Sequence, residues 1–135
     1  MDGFPKTAAC ACGALSVIAA KAPAQVHACS CLDCQRRSGS AFTDTAFFAE
    51  TAVTIAGEYR SWRRGSDAGR FHESSFCPVC GSAVFYRLEA LPGVLGIPVG
   101  AFADSSFAKP ANLYWAMRRH PWLEPPDGID SVERQ

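Results

Sequence analysis

A surplus of charge of either sign is what this sequence most plainly lacks. Lys plus Arg and Asp plus Glu number 13 each, so no net field draws the chain to nucleic acid or to an anionic membrane. Like charges form no run, and the densest basic pairs, Arg36-Arg37, Arg63-Arg64 and Arg118-Arg119, lie far apart. No apolar segment approaches the roughly 20 residues that cross a bilayer. No long amphipathic helix is legible anywhere. Histidine is scarce: His27, His72 and His120 follow no ligand spacing, and each reads as a surface or structural residue. No cysteine follows Cys80.

The seven cysteines are an odd number, so a disulfide scaffold would leave one thiol over. All seven sit at x or x-x spacings, and Cys-x-Cys is poor geometry for a disulfide. The reading is reduced thiols and a cytoplasmic setting. Lys6 ahead of an apolar run, Ala8 to Ala20, has some look of a signal peptide. Asp2 offsets that charge, however, and Cys10, Cys12 and Gly13 break the run.

A chain of 135 residues is read as one domain, 1–135, long enough to bury about two thirds of its unfolded surface. Residues 124–135 are expected to be a surface tail, with turn character at Glu124 to Gly128. Strands are expected at Leu15–Ala19, Gln25–Ala28, Thr45–Phe48, Val53–Ile55, Tyr59–Trp62, Arg70–Phe76, Ala83–Arg87, Val94–Val99 and Asn112–Met117. A short helical turn is expected at Leu32–Ser38, ended by Gly39. Residues 1–8 are expected to be loose and Arg63–Gly69 a polar loop. Cys10 and Cys12 are placed on a strand, both sulfurs to one side. Trp62, Trp115 and Trp122 are assigned to the core. Short strands with frequent turns predict a mostly-β fold.

Cys29-Ser30-Cys31-Leu32-Asp33-Cys34 places three thiols in six residues. Cys10-Ala11-Cys12-Gly13 and Cys77-Pro78-Val79-Cys80-Gly81 each place two before a glycine. The division is four plus three. Cys10, Cys12, Cys77 and Cys80 make a four-thiolate structural zinc site, and Cys29, Cys31 and Cys34 remain for a second ion. Four thiolates on Zn²⁺ leave a formal charge of roughly −2 and three leave roughly −1. A zinc already rich in thiolate is a poor acid toward water, but any thiol that coordinates it is deprotonated outright. The second site therefore favours thiol chemistry over hydrolysis, with Arg36 and Arg37 placed to offset charge or hold a carboxylate of the thiol. Two rival readings stay open for this stretch. One is a second structural site borrowing His27, His72, Asp33 or His120; the other is a redox dithiol at Cys31 and Cys34.

The pattern Cys10-x-Cys12-Gly13, Cys29-x-Cys31-x-x-Cys34, Arg36, Ser38-Gly39-Ser40-Ala41-Phe42 and Phe76-Cys77-x-x-Cys80-Gly81 resembles the glutathione-dependent formaldehyde-activating enzyme family. Gly100-Ala101-Phe102-Ala103-Asp104 and Pro121-Trp122 extend the match. The resemblance implies an Mss4-like fold of small antiparallel sheets joined by zinc. It implies a structural zinc on Cys10, Cys12, Cys77 and Cys80 and a labile, catalytic zinc on Cys29, Cys31 and Cys34. The implied activity is that of a carbon–sulfur lyase, adding glutathione or a similar thiol to formaldehyde or a related small aldehyde, or the reverse. The chain departs from the pattern at Ser30, Gln35 and Asn112, none of them a ligand. Methionine sulfoxide reductases of the B type share the fold but need a late redox cysteine, which is missing after Cys80. A non-catalytic zinc module that binds a thiol metabolite or a protein is the alternative from another class. A nucleic-acid-binding zinc ribbon is the weaker third.

Overall fold

The computed structural model describes residues 3–65 and 70–134. Its strands are β1 (Lys6–Ala9), β2 (Ser16–Ala19), β3 (Gln25–Cys29), β4 (Thr43–Ala49), β5 (Val53–Ala56), β6 (Arg60–Gly65), β7 (Phe71–Phe76), β8 (Ala83–Leu88), β9 (Val94–Pro98), β10 (Asn112–Tyr114) and β11 (Asp130–Val132). The one α-helix among the described residues is α1 (Leu32–Ser38), closed by Gly39 at φ 70°. The mostly-β expectation holds.

Two sheets form. The smaller runs β1-β2-β5, and the larger runs β11-β10-β3-β4-β9-β8-β7-β6. Pairing is antiparallel except at one end, where β10 lies parallel to both β3 and β11. The strand pleat sorts β4 into two faces. Ala46 and Phe48 join Leu95, Ile97, Val84 and Phe85 in the main core, against which Ala8, Val17 and Ala19 of the small sheet pack. Thr43, Thr45 and Phe47 point the other way, into a cavity. The small sheet thus covers one face of the large sheet and leaves the other for the site.

Several sequence expectations are corrected. Residues 6–9 are not loose; despite two alanines, which have low strand propensity, they pair with β2 from Lys6↔Ala19 to Ala9↔Ser16. Cys10 to Gly13 is a turn rather than strand, with Gly13 at φ 83° and its N–H on the Cys10 carbonyl at 3.1 Å. Arg63 to Gly65 extend β6, because Arg63 opposite Glu73 forms an ion pair of 3.0 Å across the ladder. The rest of that expected loop, 66–69, lies outside the described residues. The strand expected over Asn112–Met117 stops at Tyr114, since Trp115 takes a left-handed φ of 54° and a 3₁₀ turn follows. The tail contains a strand that its sequence does not announce: Asp130–Val132 pairs with β10, and the Asp130 N–H reaches the Ala111 carbonyl at 3.0 Å. Trp62 and Trp122 are 59% and 67% exposed, so neither is core; Trp62 lies on the edge strand β6.

Gly57, at φ 102°, closes the turn after β5 directly against the turn that carries the first cysteine pair. A Cβ built there would sit 2.0 Å from the Ala14 carbonyl oxygen. That position therefore tolerates no side chain without moving backbone. Gly57→Ala is expected to destabilise the fold by at least about 2 kcal/mol, read by denaturant unfolding. A loss below about 0.5 kcal/mol would show that the two turns are not in contact.

Candidate functional site

The first cysteine cluster is built from two turns of the same design. Cys10 ends β1 and Cys77 follows β7; both are buried, while Cys12 and Cys80 are exposed. In each turn a glycine with positive φ, Gly13 or Gly81, returns its N–H to the carbonyl of the first cysteine. The Leu15 N–H donates to Cys10 Sγ at 3.2 Å and the Val79 N–H to Cys77 Sγ at 3.4 Å. Such amide bonds stabilise thiolates. The four sulfurs lie within 4.8 Å of one another. Cys12 Sγ is 3.7 Å from both Cys10 Sγ and Cys77 Sγ. Tetrahedral zinc with Zn–S bonds of about 2.3 Å needs sulfurs about 3.8 Å apart, so the residues fit a metal ion.

Cys29, Cys31 and Cys34 form the second cluster, also within 4.8 Å, and no described His, Asp or Glu joins them. The borrowed-ligand reading thus finds no donor at His27, His72, Asp33 or His120 within that span. Cys29 ends β3, Cys31 caps α1, and Cys34 sits in its first turn, where its N–H donates to Cys31 Sγ at 3.3 Å. All three are half-buried. Hydrogen bonds from Cys29 and Cys31 hold the Cys34 thiol far below the usual range, with Thr43 and the Arg37 charge adding to the effect. Cys29 is pushed up as the donor in that arrangement.

The two arginines separate. Arg37 Nη2 donates to Cys34 Sγ at 3.5 Å, and the guanidinium lies 4.4 Å from the centre of the Tyr86 ring. Its Nε and Nη1 are buried without partners. Arg36 is exposed and lines only a neighbouring groove, with Asp33 and Trp62, which Arg37 also borders.

Cys29, Cys34 and Arg37 open onto a cavity of about 280 Å³. Its remaining wall comes from residues that carry no motif. Phe47 and Thr45 come from β4, His72 from β7, Tyr86 and Leu88 from β8, and Tyr114 from β10. Of this part of the wall, sequence reasoning named only His72 and, on β3 beside it, His27, both as spare ligands. Gly96 explains how Phe47 fits: a Cβ there would meet the Phe47 ring at 3.3 Å and the Thr45 methyl at 3.1 Å. Burial, then the Arg37 charge, pushes His72 down to about 4. Burial raises the Tyr86 phenol against the pull of Arg37, so it stays protonated. A second cavity, about 240 Å³, lies on the opposite face, lined by Ala28, Asp44 and Leu113. It contains no cysteine.

Two of the residues that depart from the family pattern, Gln35 and Ser30, make structural contacts here. The Gln35 amide donates to the Ser30 carbonyl at 2.8 Å and to the Arg118 carbonyl at 3.0 Å, while its oxygen meets His120 Nε2 at 3.0 Å. Ser30 is fully buried and its N–H reaches the Tyr114 carbonyl at 3.0 Å. Together they fix the cysteine loop to the chain after β10.

A protein-family model described as "Glutathione-dependent formaldehyde-activating enzyme" matches residues 5–118. No curated protein matches the sequence. Among solved structures, a Rhodobacter sphaeroides protein is similar in fold: 18% identity, TM-score 0.57, covering 76% of this chain and 90% of that one. No helix among the described residues is long and apolar enough to cross a membrane.

Two outcomes follow from this geometry. Metal analysis of the zinc-loaded protein is expected to give close to two ions per chain, one removed readily by a chelator. Cys34→Ala is expected to remove the labile ion and leave the other; a parent protein that holds a single ion, with the count unchanged by this substitution, contradicts the two-cluster assignment. The second concerns pH. His72 titrates near 4 when folded against 6.5 unfolded, so between those values the unfolded chain binds the proton first and stability falls as pH falls. His72→Gln is expected to lose less stability over that interval than the parent protein. Equal loss would mean the imidazole is not held neutral.

Proposed function

The chain belongs to the glutathione-dependent formaldehyde-activating enzyme family, and from that premise we propose that it is a zinc-dependent carbon–sulfur lyase-like enzyme. It adds a thiol, glutathione or a similar one, to formaldehyde or a related small aldehyde, and catalyses the reverse elimination. What carries this reading is the second cluster: three thiols, no fourth described ligand among His, Cys, Asp or Glu, and a cavity opening at Cys29 and Cys34. Cys10, Cys12, Cys77 and Cys80 hold a structural zinc in this proposal.

A zinc ion on Cys29, Cys31 and Cys34 would supply a position where a substrate thiol is held as its thiolate. The protein side chains do the rest. Thiolate sulfur attacks the aldehyde carbon, the C=O π pair moves to oxygen, and that oxygen takes one proton; the sum is R–SH plus aldehyde giving the S-hydroxyalkyl adduct. Arg37, with Nη2 3.5 Å from Cys34 Sγ, offsets the negative charge of the thiolate cluster. The Tyr86 phenol, protonated and in the cavity wall, is the assigned proton donor to the new alkoxide. His72, neutral beside it with ring centres 5.2 Å apart, keeps a second positive charge out of the wall.

NMR exchange spectroscopy of a formaldehyde and thiol mixture tests the reaction. Added protein should accelerate exchange between free and adduct thiol, and the absence of acceleration with any thiol refutes the proposal. Tyr86→Phe keeps a ring under Arg37 but removes the O–H, and is expected to slow exchange about 100-fold with zinc content unchanged. An unchanged rate would remove Tyr86 from the mechanism.

A further inference from the structure

We infer that the thiol this cavity selects has a compact, uncharged, apolar or aromatic body rather than a peptide one that carries two carboxylates. The inference rests on the thiol-addition reading for its chemistry, but its argument comes from the wall. Size is the first constraint. The cavity is about 280 Å³, at the bottom of the range of about 300–1,000 Å³ typical of small-molecule sites. Such a cavity encloses a compact body more completely than a tripeptide, which spans roughly 10 Å when extended.

Charge is the second constraint. Glutathione carries two carboxylates, and a carboxylate brought out of water needs a cationic partner. Arg37 is the one lysine or arginine among the described residues of the wall. It is already engaged, with Nη2 on Cys34 Sγ and the guanidinium face on Tyr86. Its Nε and Nη1 are buried without partners, so this one guanidinium can pair with one carboxylate and leaves the second without a cation. Arg36 is not a wall residue of this cavity; it lines a second groove that Arg37 also borders.

The third constraint is what the wall does offer. Phe47, Tyr86 and Tyr114 present aromatic surface, with the His27 ring 4.9 Å from Tyr114 and 5.9 Å from Phe47. Leu88 and Leu91 add aliphatic surface. Such a wall gains from an apolar or π body of the ligand and from sulfur near ring edges.

Calorimetric binding of furan-2-ylmethanethiol and of glutathione to the zinc-loaded protein tests the inference. Both bind through a primary alkyl thiol, so the ratio of affinities, corrected for the difference in thiol pKa, reads the body. The furan thiol is expected to bind at least tenfold more tightly; equal or tighter binding of glutathione overturns the inference. Leu91, at 37% exposure, permits the converse test. Leu91→Lys places a cation in the wall and is expected to raise glutathione affinity severalfold, whereas no gain would count against a charge-limited cavity. Binding and turnover fail separately. If the furan thiol binds more tightly yet neither thiol exchanges faster with formaldehyde, the reaction reading falls and the selectivity stands. If exchange is accelerated but glutathione is preferred, the reaction reading stands and this inference falls.

Discussion

A strand shows its side chains alternately to two sides, and β4 is where this chain makes use of both. Ala46 and Phe48 bury into the main core while Thr45 and Phe47 face the cavity. β3 repeats the division, with Val26 in the core and His27 and Cys29 toward the cavity. A one-residue slip in either register would exchange core for cavity and carry Cys29 to the wrong side. The antiparallel ladders on both sides of β4, to β3 and to β9, hold that register. The site is thus an outcome of sheet geometry as much as of its ligands.

The two cysteine clusters answer different demands. Cys10 and Cys12 come from the small sheet, Cys77 and Cys80 from the large one, and their sulfurs meet across 65 residues of sequence. An ion there closes a long loop, where a cross-link constrains the unfolded chain strongly. Cys29, Cys31 and Cys34 are local and close no long loop. Their arrangement contributes little to the fold that the sheet and Gln35 do not already supply. Electrostatics separates them further: a guanidinium and a cavity adjoin the second cluster.

How much of this was legible in the sequence depends on how local each signal is. The two cysteine clusters were legible because thiol spacing within a turn is a local property, and Gly13, Gly39 and Gly81 marked the turns that follow. The helix at Leu32–Ser38 and most strands followed from short-range pattern. The cavity wall was not legible, because it depends on which strand lies beside which. Tyr114 reaches Cys29 through a parallel pairing, and Tyr86 and Phe47 both meet Gly96 across β9. No local pattern encodes those neighbours. β1 and β11 were missed for the same reason: their sequences are weak strand formers, and partners decide their state.

The central claim is that the second cluster keeps one coordination position for a thiolate from outside the chain. Cadmium NMR of the protein with both clusters loaded tests this directly, because the metal resonance reports how many sulfurs surround each ion. The account predicts two signals, of which one moves toward the all-sulfur position when a small thiol is added while the other stays fixed. Two signals that both already report four sulfurs, or that ignore the thiol, would contradict it.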